Sequence, residues 1–349
     1  MKKILLTLLT LLLLSAFMFT MVGCKPVVDT PVDRPDEFSY KNYGLRYDDV
    51  SFSATPISAS EVAGGGVDAA LYILSVIDAN LLAANYLASA SVGGGSATSG
   101  LFELEGSLQF GDTYVRDNGA FYSQCVARVT SASSSAPFNV LNLAQVLLDQ
   151  SDRKYSADGQ TFYVQKAAGS GAECRMIEDY PYGTSNFASG EKETLTLEEY
   201  MDAEYTKYDY RELTHFVFTA DTILSDSVTL TYNEGLYTLD FTVNLDGETI
   251  VADGKTARDI ATEHARANMR EAATSNDLEY GLFKVTIEVY DNGMIASYTK
   301  EESWEATLTL ISGVLEPSGS SHSVTTVYYS WDPADCTFEG NNIDISWAS

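Results

Sequence analysis

In the stretch "LYTLDFTVNL", Tyr237, Leu239, Phe241, Val243 and Leu245 alternate with Thr238, Asp240, Thr242 and Asn244. A period of two sends the apolar set to one face of a β-strand and the polar set to the other. The same pattern recurs along the chain. In "LFELEGSLQF", Phe102, Leu104, Leu108 and Phe110 oppose Glu103, Glu105, Ser107 and Gln109. Further on, Phe283, Val285, Ile287 and Val289 align on one face, and Val327, Tyr329 and Trp331 alternate with Thr326, Tyr328 and Ser330. Asn118-Gly119, Asp158-Gly159 and Asn292-Gly293 stand between such runs, and they predict tight hairpins because both turn residues tolerate positive φ.

Four segments read as helices. Val67 to Val92 is rich in Ala and Leu and lies between Gly64–Gly66 and Gly93–Gly95. Its apolar positions run nearly all round, which predicts a helix largely covered by protein or one lining an apolar cavity. Asp68, Asp78, Asn80 and Asn85 argue against a membrane span. Shorter helices are expected near Phe138 to Asp149 and, acidic, over Thr196 to Tyr205, with a loop from Gly169 to Gly190 between them. Thr256 to Ser275 is amphipathic and opens with Thr256-x-x-Asp259, a capping-box pattern. Alternating strands with few helices predict an α+β fold: a curved, one-sided antiparallel sheet whose concave face the helices cover. Leu71, Leu74, Leu239, Phe241, Val285 and Ile287 are the inward-facing candidates for lining a ligand cavity. Ordinary core is the competing reading for each of them.

The first residues follow other rules. Lys2 and Lys3 precede Ile4 to Thr20, which is apolar apart from hydroxyls, and Met21, Val22 and Gly23 lead into Cys24. A positive start, an apolar run and small residues at a cleavage point predict a secretory signal. Val22-Gly23-Cys24 resembles the box of a bacterial lipoprotein signal, with Met21 where Leu is commoner. That resemblance implies cleavage before Cys24 and a diacylglyceryl group on its sulfur. Two acyl chains, at roughly 0.8 kcal/mol per buried methylene, suffice for stable anchoring. The implied location is the bacterial cell envelope, membrane-anchored and outside the cytoplasm. Lys25 to Tyr47, with Pro26, Pro31 and Pro35, reads as a tether. The expected division is a signal over 1–23, lipidated cysteine and tether over 24–50, and one large domain over 51–349 with a sub-boundary near 169–195.

Charge and chemistry narrow the picture. The net charge is −28, and the signal holds two lysines and no acid, so the chain after residue 23 stands near −30. Such a surface repels nucleic acid and anionic lipid head groups and keeps an exported protein soluble. Cys125, Cys174 and Cys336 remain beyond Cys24. At most one disulfide forms among them, Cys125 with Cys174 being a candidate pair, and three buried thiols are the alternative. His215, His264 and His322 stand at no metal-ligand spacing. No nucleophile elbow, phosphate loop or dinucleotide fingerprint occurs. With 49 acidic residues, no carboxylate pair stands out as a glycosidase site. The expectation is a protein without enzymatic activity, cofactor or metal.

A first helix behind a tether, the "DGQTFYVQ" hairpin, "YTLDFTVNL" and the strand–turn–strand "VTIEVYDNGMIASYT" together resemble the LolA/LppX-type lipoprotein carrier fold. The resemblance covers most of Ser58 to Trp331 and is one of element order. It implies a half-open barrel with an apolar cavity for acyl chains and supplies no catalytic residues. The expected function is therefore binding of an apolar ligand such as a lipid. The alternative is a surface interaction module, binding protein or glycan through "EEYMDAEYTKYDYRE", where Tyr200, Tyr205, Tyr208 and Tyr210 stand among carboxylates.

Overall fold

The computed structural model describes residues 54–99, 104–133, 150–168, 191–197, 199, 218–250, 254–268, 274–275, 278–309, 318–339 and 343–348. A short helix, α1 (Ala59–Val62), leads into α2 (Gly66–Ala83). Six strands follow: β1 (Tyr86–Ser99), β2 (Leu104–Asp117), β3 (Ala120–Ser133), β4 (Gln150–Ser156), β5 (Thr161–Ala168) and β6 (Glu191–Thr196). The second half holds β7 (Thr229–Asn233), β8 (Leu236–Thr242), α3 (Ala257–Asn268), β9 (Thr274–Ser275), β10 (Glu279–Tyr290), β11 (Ile295–Thr309) and β12 (Ser318–Ser330). The strands form one large antiparallel sheet in the order β6-β5-β4-β3-β2-β1-β12-β11-β10-β8-β7, with β9 paired to β11. It is an open sheet with β6 and β7 at its edges, built from two meanders joined where β1 pairs with β12.

The stretches around Leu239 and Val285 became strands with the expected sidedness, whereas in and just after β12 Thr326, Tyr328 and Ser330 are buried as well as Tyr329 and Trp331. Tyr237, Leu239, Phe241, Val243 and Leu245 are buried, as are Phe283, Val285, Ile287 and Val289. Asn118 and Gly119 both take positive φ in the β2–β3 turn, and Glu234-Gly235 does the same between β7 and β8. The Asp158 carboxylate accepts from the backbone N–H groups of Gln160 and Thr161, closing the β4–β5 turn. The capping box also forms: the Asp259 N–H donates to Thr256 Oγ1, and the Thr256 N–H donates back to Asp259 Oδ2.

Three expectations need correction. The first long helix stops at Ala83 rather than Val92, because Ala84 turns to extended backbone and the chain enters β1. Gly93–Gly95 thus lie inside a central strand and do not bracket the end of a helix. In β1, Leu87, Ser89 and Ser91 share a face, a weak alternation of small residues made regular by pairing on both sides. The late helix is described over Ala257–Asn268 and does not reach Ser275, because Thr274–Ser275 pairs with Leu308–Thr309 as a strand. β6 and β7 arise where no strand was expected. The helix expected near Phe138 to Asp149 and nearly all of the acidic helix and the 169–190 loop lie outside the described residues.

Directly opposed residues in a ladder share a face. One face carries Leu239, Phe241, Val285, Ile287, Tyr298, Tyr114, Phe121, Phe162 and Val164, and here it is called the helix face. Ala69, Ala70, Ile73, Leu74, Val76, Ile77 and Leu81 of α2 join these side chains in one core cluster. The end of α2 is locked by Asn80, which is 1% exposed. Its Oδ1 accepts from the Thr55 N–H at 2.8 Å, and its Nδ2 donates to Thr55 O at 3.0 Å and Gly293 O at 2.8 Å. Arg116 on β2 donates Nη1–H to the Leu81 and Ala84 carbonyls at 2.8 and 3.1 Å, a cationic cap on acceptors the helix leaves open.

The sheet is not one-sided throughout. Residues after β12 cross the other face: Phe338 packs edge-on to Tyr155, and the Arg153 guanidinium lies 4.4 Å from the Trp347 ring centre. Tyr122, Gln124 and Gln165 are buried there as a polar layer, in which Arg153 donates to Gln165 Oε1.

Candidate functional site

The helix face has an apolar end and a polar end. At the apolar end the register sets Ile287 beside Leu239 and Val285 beside Phe241. All four are buried, Leu74 is buried in the same cluster, and half-buried Leu71 packs against it. The structure thus brings the six cavity candidates into one packed core under α2. This end adjoins the β10–β11 turn, where Asn80 holds α2.

Toward the start of β10, three cross-strand rows change character. Gly93, Thr325, Lys300 and Val285 form the first; Gly95, Ser323, Glu302 and Phe283 the second; Ala97, Ser321, Trp304 and Tyr280 the third. Period two puts Tyr298, Lys300, Glu302 and Trp304 on the helix face, so charges enter it here, as Arg116 of β2 and Lys154 of β4 do elsewhere. Lys300 Nζ lies 2.8 Å from Glu302 Oε2, and the two side chains are only 14% and 13% exposed. The Tyr280 hydroxyl donates to Glu302 Oε1 at 2.9 Å, and the ammonium stands 5.9 Å from the Phe283 ring centre. Arg258 ties α3 to this end, donating to the Leu245 and Tyr280 carbonyls. The band was missed because "KEES" reads as a solvated run. The signal that finds it is that Lys300, Glu302 and Trp304 continue the alternation of Tyr298.

The other candidates stand apart from this band or outside the described residues. Cys24, Cys174, His215 and the tyrosines at 200, 205, 208 and 210 lie outside the described residues. Cys125 is exposed on β3. His322 meets Glu301 at 2.9 Å on the opposite face. Among the described residues no group of three or more His, Cys, Asp or Glu side chains can hold a metal ion. None of the described helices is long and apolar enough to cross a membrane.

Three buried groups make stability depend on alkaline pH. Burial pushes the Cys336 thiol well above its usual range, and the Asp335 and Asp332 carboxylates add to this. Burial likewise raises the Tyr329 phenol, with Asp78 of α2 adding to it. Tyr122 is raised by burial against the opposing pull of Arg153. Each group keeps its proton longer folded than unfolded, so its stabilisation is complete below the unfolded pKa and fades above it. Denaturant midpoints should therefore hold up to about pH 8.5, the thiol value, and fall faster above about pH 10, the phenol value. Tyr329→Phe should flatten the second slope; an unchanged slope would show that this phenol is not protected.

No protein-family model matches the chain, and no curated protein is similar to it.

Proposed function

We propose that this chain is a lipid-anchored protein of the bacterial envelope, without enzymatic activity, that holds an apolar acyl ligand on the helix face of its sheet. In this reading the signal is removed before Cys24, which carries the membrane anchor, and 24–50 lifts the folded part off the bilayer. The sheet curves as a half-open barrel, its helix face is the concave one, and α2 and α3 cover that face. The observation that carries the reading is the open sheet with its apolar residues gathered under an apolar helix. An uncapped sheet of this kind is a natural cradle, because separating its covering helices exposes a continuous apolar surface without breaking a ladder.

The core cluster, with the residues packed against it, begins at Ala54, so the chain from residue 24 onward contains all of it. That chain, carrying Cys24→Ser, would be produced in a bacterial host and extracted with organic solvent. Stoichiometric acyl lipid in the extract is the expected result. A folded protein that yields none would sink the reading and turn attention to protein and glycan partners of the acidic, tyrosine-rich segment.

A further inference from the structure

Lys300 and Glu302 sit two residues apart on the face that the proposed function assigns to an acyl ligand. Their environment is not that of a surface ion pair. Both are nearly nine-tenths buried, and their row neighbours are Val285 and Phe283 of β10. Taking two charges out of water is unfavourable unless hydrogen bonds satisfy what remains of each group. Glu302 meets that condition: one carboxylate oxygen receives Lys300 and the other the Tyr280 hydroxyl. Lys300 does not. Its ammonium has three N–H donors, and among the described residues a single oxygen, Glu302 Oε2, accepts from it.

What would complete the ammonium is constrained by charge. The pair is already neutral, so a second anion there would meet Glu302 at close range. A chain of net charge −28 opposes an anion further. An uncharged oxygen with free lone pairs has neither disadvantage. It gains a charge-assisted hydrogen bond and leaves the ion pair intact. The neighbouring positions are small and hydroxylic. Thr325 leans over Gly93 in the row of Lys300 and Ser323 over Gly95 in the row of Glu302, so the side chains beside the pair are short. The bulkier Trp304 and Tyr280 close the third row.

We propose that the Lys300–Glu302 pair seats the head of the ligand, with Lys300 donating to the carbonyl oxygen of an uncharged acyl ester. This rests on the reading of the helix face as the acyl-binding surface and adds the chemical class: neutral acyl esters over anionic amphiphiles. Glu302 is the selectivity element, since it cancels the charge that would otherwise attract an anion. Tyr280 is a positioning residue, holding the carboxylate from the far side.

The test compares two amphiphiles of equal chain length, a monoacylglycerol and a lysophosphatidylglycerol, by calorimetric titration of the Cys24→Ser chain from residue 24 onward. The expected result is tighter binding of the monoacylglycerol by about tenfold, because both amphiphiles offer the ester carbonyl to Lys300 and only the phosphate is opposed by Glu302. Lys300→Met removes the donor to the ester and leaves Glu302 unopposed, so it should weaken both amphiphiles and keep the preference for the monoacylglycerol. Glu302→Gln leaves an unopposed ammonium and should reverse the preference toward the phosphate. The double variant Lys300→Met/Glu302→Gln removes both charges together, and so guards against a single variant that fails to fold. It should bind both amphiphiles alike. A wild-type preference for the anionic amphiphile, or a preference unmoved by Glu302→Gln, would overturn the assignment while leaving acyl binding standing. Absence of binding by either amphiphile would remove both the assignment and the acyl-ligand reading.

Discussion

Gly293→Ala is expected to destabilise the protein by on the order of 3–5 kcal/mol, far more than one methyl group usually does. Gly293 has φ +83°, where an L side chain is strained. A Cβ there would also overlap the Thr55 carbonyl oxygen and stand 2.6 Å from Asn80 Nδ2 and 2.7 Å from Val76 Cγ1. Two of these three atoms belong to the lock that fixes the end of α2, and none is the loose end of a long side chain. Gly235 supplies the control. Its φ is +87°, but an added Cβ would meet nothing nearer than Asp291 Oδ2 at 3.7 Å. Gly235→Ala should therefore cost only about 1 kcal/mol, the backbone term alone. Guanidinium titrations of both variants make the comparison, and equal losses would show that the close approach of α2 to the β10–β11 turn is not what holds the helix. Asn80→Ala should cost about 2–4 kcal/mol, because it leaves the Thr55 N–H and two carbonyls without their partner. Combined with Gly293→Ala it should be less than additive, since either change alone opens the same lock.

Parts of this arrangement were written locally and parts were not. β8 and β10 declared themselves because one face of each is buried against the core, so apolar and polar residues must alternate. The turns at Asn118-Gly119 and Asn292-Gly293 and the Thr256–Asp259 cap were legible for the same reason: each depends on a few adjacent residues. β1 was not legible. Residues Tyr86–Ser99 contain almost nothing with strand propensity, and what makes them a strand is the ladder to β12 on one side and β2 on the other. Those partners lie as far as 242 positions away, as in the pairing of Ala88 with Ser330. β7, five residues long at an edge, had too little buried area to leave a pattern. The candidate site divides along the same line. Val285, Ile287, Leu239 and Phe241 were found because they are apolar at period two. Lys300 and Glu302 share that period, yet residue type alone assigns them to solvent. Only the register with β10 and β12 shows which face they occupy.

Phe162→Ala and Phe241→Ala are each expected to lower stability by about 3–5 kcal/mol, through lost burial and the space left behind. The two phenylalanines lie far apart in the sheet, Phe162 on β5 near one edge and Phe241 on β8 near the other. Both are almost completely buried, at 0% and 1% exposure. Phe162 packs against Phe121, which stacks on Tyr114, while Phe241 meets Phe218 edge-on at 5.0 Å. All but half-buried Phe218 are members of one buried cluster, with Phe218 packed against it, and the cluster runs from β5 through β1 and α2 to β8. A continuous core crossed by the β1–β12 ladder should melt as one unit, so each variant should shift a single transition without splitting it. The sub-boundary expected near 169–195 makes the competing case: β1–β6 would then unfold separately from β7–β12. Phe162→Ala distinguishes the two, followed by tryptophan fluorescence and far-ultraviolet circular dichroism in the same titration. Coincident curves at a lowered midpoint mean that β1 and β12 transmit the loss across the sheet. A second transition left at the wild-type midpoint would instead make the β1–β12 ladder a seam between two units. Loosening of one unit against the other would then be the motion that opens the helix face to a ligand.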